Sequence, residues 1–157
     1  MRALAVAAGL AAALAAGTGA ARATPIPDGG VTAAEVARAL QAINLKAEVT
    51  TDSEGDPMIK SGVDGGEFRV LFYSCKGQRC GEIAYMSAFD MDKGTTYASM
   101  NEWNRRHRFG RAYLDDDMDP YLLMDVDFEH GATSEAIENS ARTWTSVLPV
   151  FKKHIGW

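Results

Sequence analysis

Two cysteines, three histidines and five prolines are all that 157 residues contain of these types. The scarcity excludes several chemistries. His107, His130 and His154 fall in different segments, and there is no H-E-x-x-H, no histidine pair at i, i+4 and no Cys–His nucleophile context. Cys75 and Cys80 have no further cysteines with which to complete a zinc site. G-x-S-x-G, the strained elbow of a serine nucleophile, is missing, as are glycine loops of Walker or Rossmann spacing. Neither catalysis nor a cofactor is expected. Positive charge is also short: 16 Lys plus Arg stand against 21 Asp plus Glu, a net of −5. An acidic chain repels phosphate backbones, so nucleic-acid binding is not expected.

Long apolar runs are limited to one. Met1-Arg2 supplies a positive start, and Ala3 to Ala16 is almost unbroken apolar sequence carrying Leu4, Val6, Leu10 and Leu14. Small residues follow, with Gly19-Ala20 or Ala21-Arg22-Ala23 as cleavage sites. This is the layout of a secretory signal peptide over residues 1–23, too short for a comfortable membrane span; an uncleaved anchor is the alternative. No cysteine follows the run, which excludes a lipoprotein anchor. Cleavage after Ala23 would remove Arg2 and Arg22 and no acids, leaving 14 basic against 21 acidic residues, a net of −7. The expected location is periplasmic or secreted, without a membrane span after cleavage.

Residues 24–30, with Pro25, Pro27 and a glycine pair, read as an extended lead-in that adds nothing to the core. One domain over 31–157 follows. Thr32-Ala-Ala-Glu35 is a capping box opening a helix whose Val36, Leu40 and Ile43 share a face. Glu48 to Asp56 is polar and ends in a turn; Met58 to Ser61 is a short strand, and Asp64-Gly65-Gly66 signals a hairpin. Two alternating strands come next, Glu67 to Ser74 and Glu82 to Phe89. Placing Cys75 opposite Cys80 sets Phe72 against Ile83, Val70 against Tyr85 and Phe68 against Ser87, which gathers the large apolar residues on one face. A disulfide agrees with that register, and the C-x₄-C spacing is not the C-x-x-C of redox pairs.

A second helix is expected from about Thr95 to Arg106, with Tyr97, Met100, Trp103 and His107 toward one side. Strands Arg111 to Asp115 and Pro120 to Phe128 form a second hairpin around Asp116 to Asp119. The closing helix starts near Thr133 or Ser134 and carries the clearest stripe in the chain: Ile137, Ala141, Trp144, Leu148, Phe151 and Ile155. Pro149 is expected to kink or break it. The order is helix, three strands, helix, two strands, helix: an α+β fold with helices packed on an antiparallel sheet. The scattered methionines read as core gap-fillers.

Two clusters invite a functional reading. Asp115, Asp117 and Asp119 occupy positions 1, 3 and 5 of a calcium loop, but Pro120 and Val126 replace the glycine and bidentate glutamate of an EF-hand. What remains is a weak candidate cation site or a plain hairpin turn. Arg105 to Arg111 could grip an anion beside Trp103 or Phe109, or pair as a helix-end cluster with Asp115 to Asp119.

Asn101-Glu-Trp103-Asn104, then Arg108-Phe-Gly-Arg111-Ala-Tyr113-Leu-Asp115, then Asp119-Pro120 together resemble the YbjN family of bacterial sensory-transduction regulators. Gly131 to Glu135 and Trp144, Leu148 and Phe151 resemble its closing helix. The resemblance covers about Val31 to Trp157. It implies a fold like type III secretion chaperones, small modules that often dimerise and bind segments of other proteins. A non-enzymatic protein-interaction role follows, with a protein partner or a homodimer. Asn101, Trp103, Asn104, Arg108, Phe109, Arg111, Tyr113 and Asp115 are the motif positions on which it would rest. The second reading is a small-ligand or cation sensor using Arg108, Arg111 and the Asp115 to Asp119 turn.

Overall fold

A computed structural model describes residues 23–157; the expected leader lies outside them but for Ala23. After the short strand β1 (Pro25–Ile26), the chain forms helix α1 (Ala33–Ala42) and four strands. These are β2 (Glu48–Thr51), β3 (Pro57–Val63), β4 (Gly66–Lys76) and β5 (Arg79–Ala88). Helix α2 (Tyr97–Arg106), strands β6 (Arg111–Leu114), β7 (Pro120–Asp127) and β8 (Ala132–Thr133), and helix α3 (Ser134–Ile155) complete it. β2 to β7 make one antiparallel sheet in the order β2-β3-β4-β5-β7-β6, while β1 pairs with β8. The α+β class is as the hydrophobic pattern predicts.

Each element has a local cause. Thr32 caps α1 through its hydroxyl, and Glu35 reaches back to the Thr32 amide at 2.8 Å, closing the capping box. Thr96 and Thr133 cap α2 and α3 through their hydroxyls alone, accepting from the Ser99 and Ala136 amides, and Gly156 in the left-handed region ends α3. On β4, Phe68, Val70 and Phe72 are buried; Val70 is opposite Tyr85 and Phe72 opposite Ile83 on β5, in the register read from the sequence. Cys75 pairs with Cys80 and the two form a disulfide. α1 and α3 pack against each other over this face of the sheet, and Tyr85, Phe68 and Trp144 form an aromatic cluster at its centre. Burial pushes the Tyr85 phenol up to about 12, its bond with Ser140 at 2.9 Å pulling the other way, so it stays neutral.

Four expectations are corrected. Residues 24–30 do contribute to the core: Ile26 is buried, because β1 adds to β8 and turns alternate side chains inward. Pro25 within it and Pro27 after it hid a strand only two residues long. Glu48–Thr51 is a fourth strand ahead of α2; as an edge strand with no buried position, it leaves no hydrophobic alternation to read. Tyr97 is exposed, since the first turn of α2 projects past the residues that bury Met100 and Trp103. Pro149 does not break α3, which runs from Ser134 to Ile155. The proline removes one backbone bond, while buried Trp144 and Leu148 before it and Phe151 and Ile155 after it hold both halves in the core.

The β4–β5 tip grips the start of α1. Val31 and Cys80 exchange backbone bonds at 3.0 and 2.9 Å, and the Arg79 guanidinium meets both Glu35 oxygens at 3.0 and 3.2 Å. Burial pushes the Glu35 carboxyl up, but Arg79 and the Thr32 amide and hydroxyl together outweigh it and leave it below its ordinary value. A lowered folded-state value stabilises the fold above the ordinary carboxylate range, and that stability is lost as pH falls through the folded value. Urea midpoints measured from pH 7 down to 3 should therefore fall more steeply for the natural chain than for Glu35→Gln. Parallel curves would remove Glu35 from the acid response.

Opening the disulfide should weaken the same clamp. Cys75→Ala/Cys80→Ala is expected to lose about 2 kcal/mol in equilibrium unfolding, mostly through the freed unfolded chain. Alanine is the proper replacement because Cys80 is fully buried, where a serine hydroxyl would add its own desolvation cost. A loss equal to that produced by a dithiol reductant on the natural chain would confirm the cause.

Candidate functional site

The central motif is largely consumed by the fold. Trp103 is fully buried, donates from Nε1 to the Gly110 carbonyl at 2.7 Å and stacks on His107 with ring centroids 3.7 Å apart. Phe151 meets it edge-on and His154 lies beside it, itself bonded to Ser99. Asn104 accepts from the Ala112 amide at 2.8 Å and donates to the Ala112 carbonyl at 3.0 Å. Its side chain thus takes the place of a further strand on β6, one of the two sheet edges, and occupies backbone groups that would otherwise be open to another chain. Gly110 sits at φ +82, and a side chain there would press on Leu122 and Val147.

The acidic turn has a similar explanation. Asp115 Oδ1 accepts from the amides of Asp117 and Asp119 at 3.1 and 2.9 Å, and Asp119 Oδ1 accepts from the Met91 amide at 2.8 Å. These are Asx-type turn bonds, with Met118 in the left-handed region between them. No group of three His, Cys, Asp or Glu among the described residues is placed to hold a metal ion.

The basic run does not meet the acidic turn. Arg106 pairs with Glu102 at 2.9 Å and Arg111 reaches Asp125 at 3.7 Å, both exposed pairs that add little stability. The reason is geometric: the Arg111 guanidinium lies by Asp125 and the Tyr113 ring, while Asp115 and Asp119 are turned to the amides of Asp117, Asp119 and Met91. Trp103 is unavailable to a ligand, whereas Phe109 is half exposed at the loop tip beside exposed Arg108. Asn101 is exposed on α2. Thus Trp103, Asn104 and Asp115 are structural. Asn101, Arg108, Phe109, Arg111 and Tyr113 remain accessible.

A second group of residues is gathered. The sheet face opposite the helices is covered by no element among the described residues, and it carries apolar and aromatic side chains on both hairpins. Met58, Leu71 and Ala84 align across β3, β4 and β5, while Met86 faces Leu123 across β5 and β7. Tyr113 of β6 stacks on Tyr121 of β7 at 5.1 Å, with the Arg111 guanidinium 5.7 Å from the Tyr113 ring centre. Tyr73 belongs to the same face. Burial raises its phenol, with Asp125 and Asp52 adding to it; burial and Tyr121 raise that of Tyr113, Arg111 opposing and Tyr73 adding. Both stay neutral, amphipathic groups at ordinary pH.

Of this face the sequence pointed only to Arg111 and Tyr113, although a wider signal was there. Val70-Leu71-Phe72-Tyr73 and Tyr121-Leu122-Leu123-Met124 are apolar on both alternations. An antiparallel strand with one solvated face ought to alternate.

These features define an α+β module: a helix-covered antiparallel sheet whose β6 edge is clipped by its own central helix and whose other face is open. Residues 32–156 match the YbjN family, described as a putative bacterial sensory transduction regulator, and the chain belongs to that family. No curated protein and no solved structure matches it. Membership agrees with a non-enzymatic regulatory or interaction module.

Proposed function

We propose that the chain is an exported, periplasmic or secreted interaction module that binds another protein through the uncovered sheet face. The observation that carries this is the composition of that face. Tyr73, Tyr113, Tyr121, Arg111, Met86 and Leu123 are the residue types that dominate interface cores, and they lie together on a solvated sheet where stability alone would favour polar residues. The apolar leader and the Cys75–Cys80 disulfide support export, since disulfides persist in oxidising compartments. Sensing by the central basic and acidic motif receives no such support, because Asp115 and Asp119 already serve backbone amides.

The test compares chains. Crosslinking in the native envelope should trap a partner, or a second copy, with the natural chain, and lose it with Tyr73→Ser/Leu123→Glu. Loss should occur at unchanged thermal stability, because both residues lie off the helix-packed core. Equal capture by the two chains would sink this reading.

A further inference from the structure

On the β2 side of the same face lies a depression of about 460 Å³, and its charges are unbalanced in a specific way. Lys60 of β3 lies between Glu48 of β2, which turns to Lys46, and Arg69 of β4, a like charge on the neighbouring strand. Facing like charges destabilise a sheet unless something neutralises them. Neither has a carboxylate within ion-pair distance among the described residues: Lys46 takes Glu48 at 3.4 Å, and the remaining pairs are Arg79–Glu35, Arg106–Glu102 and Arg111–Asp125. With Lys46 and Glu48 cancelling, Lys60 and Arg69 stand against Glu67 alone, a local excess of one positive charge in an acidic chain. The rest of the lining is Phe68, Met86, Ala88 and Tyr121, with Ser61 and Ser87, whose hydroxyls already donate to the Lys46 and Glu67 carbonyls.

We infer that this depression binds a monocarboxylate attached to an apolar or aromatic body, the carboxylate bridging Lys60 and Arg69 and the body lying on Met86 and Tyr121. One excess charge suits a monoanion; a phosphate dianion would meet Glu67 and Glu48 with charge left uncompensated. Arg69 offers the fork that a carboxylate accepts in bidentate fashion. The volume suits a group of about the size of one or two residues. Such a group is either a free organic acid or the C-terminal carboxylate of a chain ending in an apolar residue. The inference takes from the proposed function only the openness of the face, and none of its lining residues is altered in the crosslinking test above.

Calorimetric titration of the purified chain with 3-phenylpropionate, its neutral amide and inorganic phosphate tests it. The carboxylate should bind; the amide and phosphate should bind at least about tenfold more weakly, the effect of one lost charge-assisted bond. Arg69→Gln and Lys60→Gln should each weaken 3-phenylpropionate by a similar factor, with Arg69→Lys recovering part of it. Because it relieves the facing charges, Arg69→Gln should leave the unliganded Tm unchanged or raised; a structural arginine would lower it. An N-acetylated peptide ending in phenylalanine identifies the source. Tighter binding than 3-phenylpropionate, lost on C-terminal amidation, assigns a chain end, and equal or weaker binding assigns a free acid. No heat from any carboxylate, equal binding of acid and amide, or affinity unchanged in both glutamine variants overturns the inference. Crosslinking that still fails only in Tyr73→Ser/Leu123→Glu would then leave the proposed function standing without it.

Discussion

Trp103→Ala should lower the unfolding free energy by about 3–5 kcal/mol, as removal of a fully buried large aromatic does. A domain of this size has a total stability of about 5–15 kcal/mol, so the variant should be partly unfolded or recovered poorly at 37 °C. The loss has two parts that a second pair of variants separates. Trp103→Phe keeps a ring against Phe151 and His154 but strands the Gly110 carbonyl, which accepts the indole N–H at 2.7 Å. Trp144→Phe removes an indole N–H that is buried and has no partner among the described residues. An unmade buried bond costs about 1–3 kcal/mol, so the first change adds such a cost and the second relieves one. Denaturant midpoints should therefore place Trp103→Phe clearly below Trp144→Phe, although both residues are fully buried. The reverse order would mean that ring volume, and not the bond to Gly110, decides the central motif.

Asn104 should behave as an edge guard. Its amide satisfies both the N–H and the C=O of Ala112, so Asn104→Leu would leave two backbone groups of β6 unpaired next to an apolar side chain. The expected consequence is self-association along β6 in addition to lower stability, visible as concentration-dependent sedimentation.

How much of this was legible follows from what each residue must satisfy. The β4–β5 register could be read because three conditions agree there: apolar alternation, a short turn and two cysteines that must face each other. α3 could be read because a six-residue stripe over 22 residues outweighs one proline. β2 could not, since an edge strand gains backbone bonds from one neighbour only and needs no hydrophobic pattern. The central motif left a binding role and a structural role both open, because Asn, Asp, Arg and Trp are residues of both binding surfaces and backbone satisfaction. Only the three-dimensional placement of Ala112, Gly110 and Met91 shows that their backbones use up Asn104, Trp103 and Asp119. The open face went unread for the converse reason: Leu71, Tyr73, Tyr121 and Leu123 alternate with the core positions on the same strands, and only the core alternation was followed.

Gly30→Ala is the other substitution expected to be severe. Gly30 has φ +91, and a Cβ added there would run into the Cys80 carbonyl group. That carbonyl is fixed from several sides: it accepts from the Val31 amide at 3.0 Å, the Cys80 amide donates to Val31, and Cys80 is tied to Cys75. The Gly30 carbonyl in turn accepts from Arg79, which also holds Glu35. Alanine can escape only by separating the β4–β5 tip from the start of α1, which breaks the Val31–Cys80 pair and loosens the Arg79 latch. Left-handed strain and overpacking together should cost about 2–5 kcal/mol. Gly29 supplies the control, since it has the same φ of +91 but nothing within 4 Å of an added Cβ. Gly29→Ala should therefore show the backbone cost alone, about 1–2 kcal/mol. The difference between the two unfolding free energies measures the close approach of chain to hairpin. It should shrink in Cys75→Ala/Cys80→Ala, where the tip is free to yield. A difference unchanged by removing the disulfide would show that the Val31–Cys80 bonds, and not the covalent tie, hold the tip against α1.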